Sequence, residues 1–306
     1  MSIIREVGRL PLGVVMKGIG GFYYIKSSSH GIVECKARGI FRKDDIIPLP
    51  GDKVSFSIID TDKNTGLIEE ILPRTSELVR PAVANITQLV VVVAVKSPQP
   101  DFLLLDKMLI TASLKNIKPI ILINKIDKSS GQDIDRIKKV YENTGYDLFF
   151  LCAKSHEGFD ELMEILKENI TVFAGQSGVG KSTILNRLAG SAVMETGEVS
   201  DKIERGRHTT RHAELLELSN GGLVVDTPGF SSFELTGVDL NDLELHYPEF
   251  INHLGRCRFN SCSHINEPDC VVKEAVENGD IDNERYERFV HFYSLLKKQK
   301  DQRYRK

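Results

Sequence analysis

The chain has 306 residues, of which 41% are hydrophobic and 27% charged, so its composition excludes collagen-like, low-complexity and wholly disordered proteins. Its longest apolar run, Leu89–Val95, is too short to span a bilayer, and the N-terminal residues show no secretory signal pattern, so we expect a cytoplasmic protein of two or three domains. The net charge is −3, but residues 1–53 carry +4 and the last ten residues +5. Basic ends on an acidic middle indicate contact with a polyanion, the alternative being plain solvated surface.

Residues 1–72 are predicted to form a small β-barrel domain. Five short runs rich in β-branched and aromatic residues are separated by clusters of Pro, Gly, Asp and Ser. Short strands with interspersed basic residues favour an OB-fold, a barrel that often binds oligonucleotides, and an SH3-like module is the alternative. The runs are Leu12–Met16, Gly21–Ile25, Gly31–Lys36, Lys53–Ile59 and Gly66–Glu70.

Residues 73–233 are predicted to form an α/β domain. Its apolar runs are continuous rather than alternating, which indicates strands of a parallel sheet that are buried on both faces. Helical patterns at about 103–115, 132–143, 157–168 and 180–190 alternate with these runs, as in a doubly wound fold. Leu215–Leu218 and Leu223–Val225 are predicted to form an added hairpin. The other predicted strands are Leu89–Val95, Pro119–Ile123, Leu148–Ala153 and Val172–Ala174.

A phosphate-binding loop is predicted at residues 175–182. The segment matches G-x-x-x-x-G-K-[ST] and lies between an apolar strand and a helix, as the motif requires. Its glycines let successive backbone N–H groups point at phosphate oxygens, and the helix N-terminus adds a positive dipole end. We expect Lys181 to reach the β- and γ-phosphates and Ser182 to ligate Mg²⁺. The predicted binding residues are Gly175, Gln176, Ser177, Gly178, Val179, Gly180, Lys181, Ser182 and Thr183.

The segment Asn124-Lys125-Ile126-Asp127 follows an apolar strand and predicts guanine recognition. The Asp127 carboxylate can accept from the guanine N1–H and N2–H₂, whereas adenine would leave it unpaired. Lys125 is expected to lie along the base plane, and Asn124 to brace the loop. In Cys152-Ala153-Lys154, at the end of the next strand, a backbone N–H can meet the guanine O6.

A third strand end predicts the rest of the nucleotide site. Asp226, which begins the sequence Asp-Thr-Pro-Gly, is expected to hold Mg²⁺ through water, and the Gly229 N–H to sense a γ-phosphate. Thr209 or Thr210 is expected to complete the Mg²⁺ shell, with Thr210 favoured.

The order of these motifs is unusual. They are the five motifs of a GTPase, but base recognition precedes the phosphate-binding loop, so the chain order is permuted to 4-5-1-2-3. Because the C-terminal region then follows Gly229 directly, we expect a γ-phosphate-driven movement to pull on it.

Catalysis is expected to need help from a partner. Common GTPases place a glutamine after the glycine of the Asp-Thr-Pro-Gly motif to orient the attacking water, and here Phe230 stands there. Slow unaided hydrolysis is therefore expected. His208 is a candidate for the water-orienting group, and the alternative is a contact with a partner or solvent.

Residues 234–306 are predicted to form a metal-binding domain of loops and short helices, with a helix over Arg285–Lys298 and a basic tail. Cys257, Cys262, His264 and Cys270 offer three thiolates and one imidazole, a set that suits one structural tetrahedral Zn²⁺. Free cysteines or a local disulfide are the alternatives, and the odd total of five cysteines disfavours a disulfide framework.

Together these features resemble the bacterial small-subunit-dependent GTPases of the RsgA (YjeQ/YloQ) family. The resemblance covers nearly the whole chain and includes Arg80-Pro81 with Val83-Ala84-Asn85, and residues 124–127, 175–182, 206–210, 226–230 and 257–270. Arg211 departs from it, because members often continue the threonine run there, and this leaves the choice of Mg²⁺-ligating threonine open.

The resemblance implies a GTP-hydrolysing factor for late maturation of the small ribosomal subunit. Its barrel and zinc domains would contact rRNA, its GTP/GDP cycle would time release, and it would act as a monomer without a membrane. Two other functions are kept open: a nucleotide-gated regulator that binds a protein partner, and an ATP-dependent RNA enzyme in which residues 124–127 are incidental.

Overall fold

The computed structural model describes residues 10–39, 41, 46–190, 213–226, 235 and 237–304. Some residues singled out in the sequence lie outside these ranges, among them His208, Thr209, Thr210, Arg211, Gly229 and Phe230. Within the described ranges, no helix is both long enough and apolar enough to cross a membrane.

The first described segment forms a closed five-stranded barrel, which confirms the predicted OB-type architecture. Its strands are β1 (Leu12–Ile19), β2 (Phe22–Ser27), β3 (Gly31–Ala37), β4 (Lys53–Asp60) and β5 (Thr65–Ile71). The order around the barrel is β1-β2-β3-β5-β4, and β3 pairs with β5 in parallel while the other pairs are antiparallel. Apolar residues alternate along the strands, so Val15, Ile25 and Phe56 point inward and are fully buried.

A short hairpin that the sequence analysis did not predict follows the barrel. Its strands are β6 (Glu77–Val79) and β7 (Ala82–Ala84). The Asn85 side-chain amide donates to the Gly51 carbonyl oxygen at 2.9 Å, and its oxygen accepts from the Thr75 N–H at 2.9 Å. A Cβ at Gly51 would lie 2.0 Å from the Ala84 carbonyl oxygen, so the close approach of hairpin to barrel requires glycine.

The central sheet has six strands in the order β10-β9-β8-β11-β13-β12. They are β8 (Gln88–Ala94), β9 (Lys118–Asn124), β10 (Asp147–Leu151), β11 (Ile170–Ala174), β12 (Leu215–Glu217) and β13 (Leu223–Val225). The pairs β8–β9, β9–β10 and β11–β13 are parallel, and β12–β13 is an antiparallel hairpin. Every residue of β8 and β11 is buried, as expected of strands covered on both faces.

Seven α-helices lie in the described ranges. They are α1 (Phe102–Leu114), α2 (Gln132–Tyr141), α3 (Phe159–Leu166), α4 (Lys181–Gly190), α5 (Pro248–Ile251), α6 (Val271–Glu277) and α7 (Asn283–Tyr304). The first four follow the strands β8 to β11 in alternation, as predicted. The last helix continues to Tyr304, so Lys300 and Arg303 belong to a helix rather than to the predicted tail, whose last two residues lie outside the described ranges.

The C-terminal helices share a hydrophobic core with α1. Tyr247, Phe250 and Phe289 are almost fully buried, and their rings contact one another with centroids 4.8–5.2 Å apart. Ile110 of α1 belongs to the same buried cluster. Residues 88–165, 173–184 and the described part of 237–304 accordingly form one compact unit.

A buried ionic cluster reinforces that core. Asp106 of α1 is 0% exposed and pairs with Arg285 and Arg288 of α7. The Arg285 Nε donates to Glu249 at 2.7 Å, and the Tyr141 hydroxyl donates to Asp106 at 2.7 Å. Burial alone would lower the pKa of Arg285, but Asp106 and Glu249 raise it well above its ordinary value, so the guanidinium stays charged.

Candidate functional site

Three of the predicted motifs lie at the carboxyl ends of sheet strands. Asn124 is the last residue of β9 and pairs in register with Leu151, the last residue of β10. Cys152 follows β10 directly, and Gly175 follows β11. The carboxyl edge of an open α/β sheet is where such folds bind ligands. Residues separated by up to 51 positions in the chain are therefore presented at one edge.

Asn124 joins these three motifs with its side chain. Its Nδ2 donates to the Val179 carbonyl oxygen in the phosphate-binding loop at 2.8 Å. Its Oδ1 accepts from the Ala153 N–H at 3.1 Å. The side chain is 1% exposed, so both hydrogen bonds are shielded from water. The sequence predicted a bracing role for Asn124, and the structure shows which groups it braces.

Lys125 also links base recognition to the phosphate-binding loop. Its backbone is left-handed, with φ of 65°, and its Nζ donates to the carbonyl oxygens of Gly178 and Ser97, each at 2.6 Å. Partial burial, together with Lys128, lowers the pKa of Lys125. The aliphatic stem thus runs from β9 toward the loop, which is the course needed to flank a base plane.

Asp127 is held near the end of β10. It lies in a short 3₁₀ helix, Ile126–Lys128, and its carboxylate is exposed. The Cys152 thiol donates to its Oδ1 at 3.3 Å. This contact helps to orient the carboxylate. Lys154, the last residue of the Cys152-Ala153-Lys154 motif, is exposed.

At two positions of the phosphate-binding loop, a side chain larger than that of glycine would collide with neighbouring atoms. At Gly175, with φ of 138°, a Cβ would lie 2.2 Å from the Val92 carbonyl oxygen. At Gly180, with φ of 103°, a Cβ would lie 2.4 Å from the Asn124 side-chain nitrogen. Both positive φ values are costly for other residues. The motif glycines therefore let the loop approach β8 and Asn124 as well as a phosphate.

Lys181 turns its ammonium into this loop. Its Nζ donates to the carbonyl oxygens of Gly175 and Gln176 at 2.7 and 2.8 Å, and the residue is only 8% exposed. Burial lowers its pKa. Ser182 and Thr183, on the first turn of α4, are exposed, as are Ser177 and Gly178 in the loop. A buried cation inside a cradle of glycines and a helix N-terminus is suited to polyphosphate.

Asp226 directly follows β13. Its N–H donates to the Glu214 carbonyl oxygen at 2.8 Å, and its side chain is exposed. Partial loss of hydration around the carboxylate nevertheless raises its pKa, and the charge of Glu214 adds to the effect. Because Thr210 lies outside the described residues, the predicted Mg²⁺ set of Ser182, Asp226 and Thr210 remains a prediction.

The three C-terminal cysteines and His264 converge as predicted. Their ligand atoms all lie within 4.8 Å of one another. The Cys257 Sγ is 3.9 Å from the Cys270 Sγ and 3.6 Å from the His264 Nδ1, which is 3.3 Å from the Cys270 Sγ. A zinc tetrahedron with Zn–S of about 2.3 Å and Zn–N of about 2.0 Å has edges of about 3.8 and 3.5 Å. The spacing therefore fits one tetrahedral ion.

Residues that the sequence analysis missed support this cluster. The His264 Nε2 lies 2.6 Å from the Glu244 carboxylate, which fixes Nδ1 toward the thiols. Glu267 accepts from Ser263 and from the backbone of residues 265 and 266; burial alone would raise its pKa, but these hydrogen bonds lower it to about 2. The Tyr286 hydroxyl donates to the His264 carbonyl oxygen at 2.7 Å. Glu244 lies 20 residues before His264, so no local spacing indicates it.

Comparison with known proteins gives consistent matches. Residues 71–236 match the family described as RsgA GTPase, and residues 12–68 match the RsgA N-terminal domain. A relative from Ruminiclostridium cellulolyticum, named small ribosomal subunit biogenesis GTPase RsgA, is 57% identical over 94% of each chain. A relative of the same name from Caldanaerobacter subterraneus is 44% identical over 96% of this chain and 98% of its own.

Two solved structures resemble the whole chain. YloQ, described as a circularly permuted GTPase, superposes with a TM-score of 0.82 at 35% identity and covers 97% of this chain and 99% of its own. YjeQ from Thermotoga maritima gives a TM-score of 0.80 at 34% identity over 94% and 98% of the two chains. The permuted order of the motifs is thus accompanied by a matching fold.

Proposed function

This chain belongs to the RsgA family of GTPases, and on that premise we propose that it hydrolyses GTP during biogenesis of the small ribosomal subunit. The observation that carries the proposal is the side chain of Asn124, which connects the phosphate-binding loop with both base-recognition segments. Such a connection makes base identity and phosphate binding parts of one site.

Guanine selection is assigned to Asp127. Its carboxylate accepts from the guanine N1–H and N2–H₂, and the Cys152 thiol supports it from the side. Lys125 flanks the base, and a backbone N–H of residues 152–154 meets the O6. Adenine would leave a charged acceptor unpaired, a loss that can reach about 10⁴-fold in discrimination.

Phosphate binding is assigned to the loop 175–180 and Lys181. The ammonium already lies inside the loop, held by two carbonyl oxygens. We expect an incoming phosphate to take over those hydrogen bonds, because an anion is a stronger acceptor than a carbonyl. Thr183 and the amides at the start of α4 then face the α-phosphate side.

Mg²⁺ would accompany the nucleotide. The hydroxyl of Ser182 and the carboxylate of Asp226 are the hard oxygen donors that this ion prefers, and Thr210 would complete the set. Bound there, the ion would neutralise charge on the β- and γ-phosphate oxygens.

The Gly229 N–H would sense the γ-phosphate. His208 is proposed to orient the attacking water, since Phe230 offers no polar group for that task.

A structural zinc ion is proposed for the C-terminal cluster. The tetrahedral spacing and the carboxylate of Glu244 behind His264 support it. With four protein ligands, such an ion would stabilise the fold and leave no position open for a substrate.

The barrel and the C-terminal region are proposed to contact rRNA, with domains at 1–72, 73–233 and 234–306, in a monomer that acts in the cytoplasm. The basic outer residues of the barrel and the helical basic residues near Lys300 support an RNA contact.

The proposal is tested by GTP hydrolysis with and without purified small ribosomal subunits. We expect slow turnover alone and a marked increase with subunits, with ATP unreactive. A rate that subunits leave unchanged would contradict the proposal. If a protein partner raised the rate instead, the nucleotide-gated regulator would be the better description.

A further inference from the structure

The barrel carries an ionic contact with the strand β12. Lys17 of β1 forms a backbone bridge with Glu214, and its Nζ lies 2.8 Å from the Glu214 Oε1. Lys26 of β2 pairs with Glu217, at the other end of β12. The bridge is antiparallel, so Glu217 runs toward Val14, and Lys26 lies opposite Val14 in the register. The two carboxylates therefore pair with two lysines that lie on neighbouring strands of the barrel.

These lysines lie on the outer face of the barrel beside aromatic rings. Along β2, Phe22, Tyr24 and Lys26 alternate with the inward-facing Ile25, so the three share the outer face. The Lys17 Nζ lies 5.3 Å from the Tyr24 ring centroid, and the Lys36 Nζ of β3 lies 5.1 Å from that of Phe22. Ammonium groups interleaved with aromatic rings are what a single-stranded nucleic acid requires, since phosphates pair with the former and bases stack on the latter.

We propose that Glu214 and Glu217 occupy two of the cationic positions at which single-stranded RNA binds this face, so that β12 and RNA compete for Lys17 and Lys26. The inference rests on the proposed function, because that function supplies the RNA. Each carboxylate stands where a backbone phosphate would stand. RNA would bind first at Phe22 and Lys36 and would then displace β12 from Lys17 and Lys26.

The competition reaches the nucleotide site through the backbone. The Glu214 carbonyl oxygen accepts from the Asp226 N–H at 2.8 Å, and β12 pairs with β13 along all three of its residues. Release of Glu214 from Lys17 would therefore loosen the strand pair that ends at Asp226. RNA binding at the barrel and the position of a Mg²⁺-binding carboxylate would then be linked, and the linkage must hold in both directions.

The test is a double-mutant cycle on RNA affinity. The probe is a fluorescent oligouridylate of about twelve nucleotides, a length that fits an OB-type barrel, titrated into the full chain at low salt. Glu214→Gln and Glu217→Gln together should tighten binding by about three- to thirtyfold, the size expected from removing two exposed ion pairs as competitors. In a chain that also carries Lys17→Ala and Lys26→Ala, the same glutamine substitutions should have little effect.

Two controls separate competition from a general loss of negative charge. Glu70→Gln removes a carboxylate from β5 and should leave affinity nearly unchanged. Lys36→Ala should weaken RNA binding but leave the gain from the glutamine pair intact. If that gain persists without Lys17 and Lys26, competition is refuted and only long-range charge remains. Failure of all variants to bind the probe would refute this face as an RNA site, while subunit-stimulated GTP hydrolysis would still support the proposed function.

Discussion

Asp127 is proposed to determine which base the site accepts, and its substitution should both weaken binding of one nucleotide and strengthen binding of another. In Asp127→Asn, the amide donates where the carboxylate accepted, so it repels the guanine N1–H and pairs with the 2-oxo group of xanthine. We expect GTP affinity to fall by about a hundredfold or more and xanthosine triphosphate to become the better ligand.

Equilibrium binding of fluorescent nucleotides measures both effects. Asp135→Asn, which alters an exposed carboxylate in the first turn of α2, is the matched control and should bind GTP normally. Normal GTP binding by Asp127→Asn would place base recognition elsewhere.

His208 gives a second prediction at this scale. Because its proposed role is to orient water rather than to hold the nucleotide, His208→Ala should lose most of the subunit-stimulated rate and keep its affinity for GTP. Single-turnover hydrolysis with subunits measures the first quantity and nucleotide titration the second. A fully stimulated His208→Ala would remove this assignment and leave the rest of the site intact.

Sequence reasoning succeeds at residues whose chemistry is local. The motif at 175–182 requires two glycines, and the structure shows a Cβ colliding at both Gly175 and Gly180. It fails for Glu244 and Asp106, because a carboxylate in a helical pattern looks like surface charge until its partner, 20 or 182 positions away, is known. The short strands β6 and β7 were missed because three residues show no periodicity.

Among the elements, the segment with the proposed zinc ligands is expected to depend on the ion for its order. We expect one zinc per chain by elemental analysis of the purified protein, and less than one in Cys270→Ser. Loss of the ion should lower the thermal stability of the α6–α7 region. Nucleotide affinity should change less, since Asn124 and Lys125 contact the phosphate-binding loop directly.

Cys35→Ala is the matched control for the zinc measurement, because Cys35 lies in the barrel core. It should retain a full equivalent of zinc even where it lowers barrel stability. A native protein without zinc would contradict the proposed metal site.

The packing of α1 against α7 depends on paired buried charges. Arg285→Ala leaves Asp106 and Glu249 buried with fewer partners, and loss of one member of such a group costs about 3–5 kcal/mol. Urea unfolding followed by fluorescence measures the change. Arg136→Ala breaks an exposed pair with Glu284 and should cost less than about 1 kcal/mol. Equal costs for the two variants would show that burial adds nothing.

For the whole molecule, the GTP-bound and GDP-bound states should differ in their affinity for the small subunit. Only GTP carries the γ-phosphate that the Gly229 N–H and residues 206–211 are proposed to contact, so GTP should strengthen the complex and GDP weaken it. Subunit co-sedimentation with GDP or a non-hydrolysable GTP analogue measures this, and the affinity should fall as salt rises. Equal affinity in both states would contradict a timing role.

The architecture of the whole molecule followed from the order of the patterns. Short runs rich in β-branched and aromatic residues predicted the barrel, continuous apolar runs predicted the sheet, and the motif order 4-5-1-2-3 indicated the permutation. What could not be predicted is the extent to which α1 shares its core with the C-terminal helices. Ile110 has the pattern of an ordinary inward-facing helix residue, and the residues next to it in the sequence do not indicate that it packs against the C-terminal helices.

The ion pairs of Asp106 have a consequence for biosynthesis. Asp106 is translated well before Arg285 and Arg288, which lie about 180 residues later in the chain. While the chain is still being translated, Asp106 has neither of these cationic partners, so water must solvate its carboxylate until α7 is made. We therefore expect this face of α1 to be covered only after the last helix has left the exit tunnel. The core that α1 shares with the C-terminal helices should then be the last part of this unit to form during synthesis.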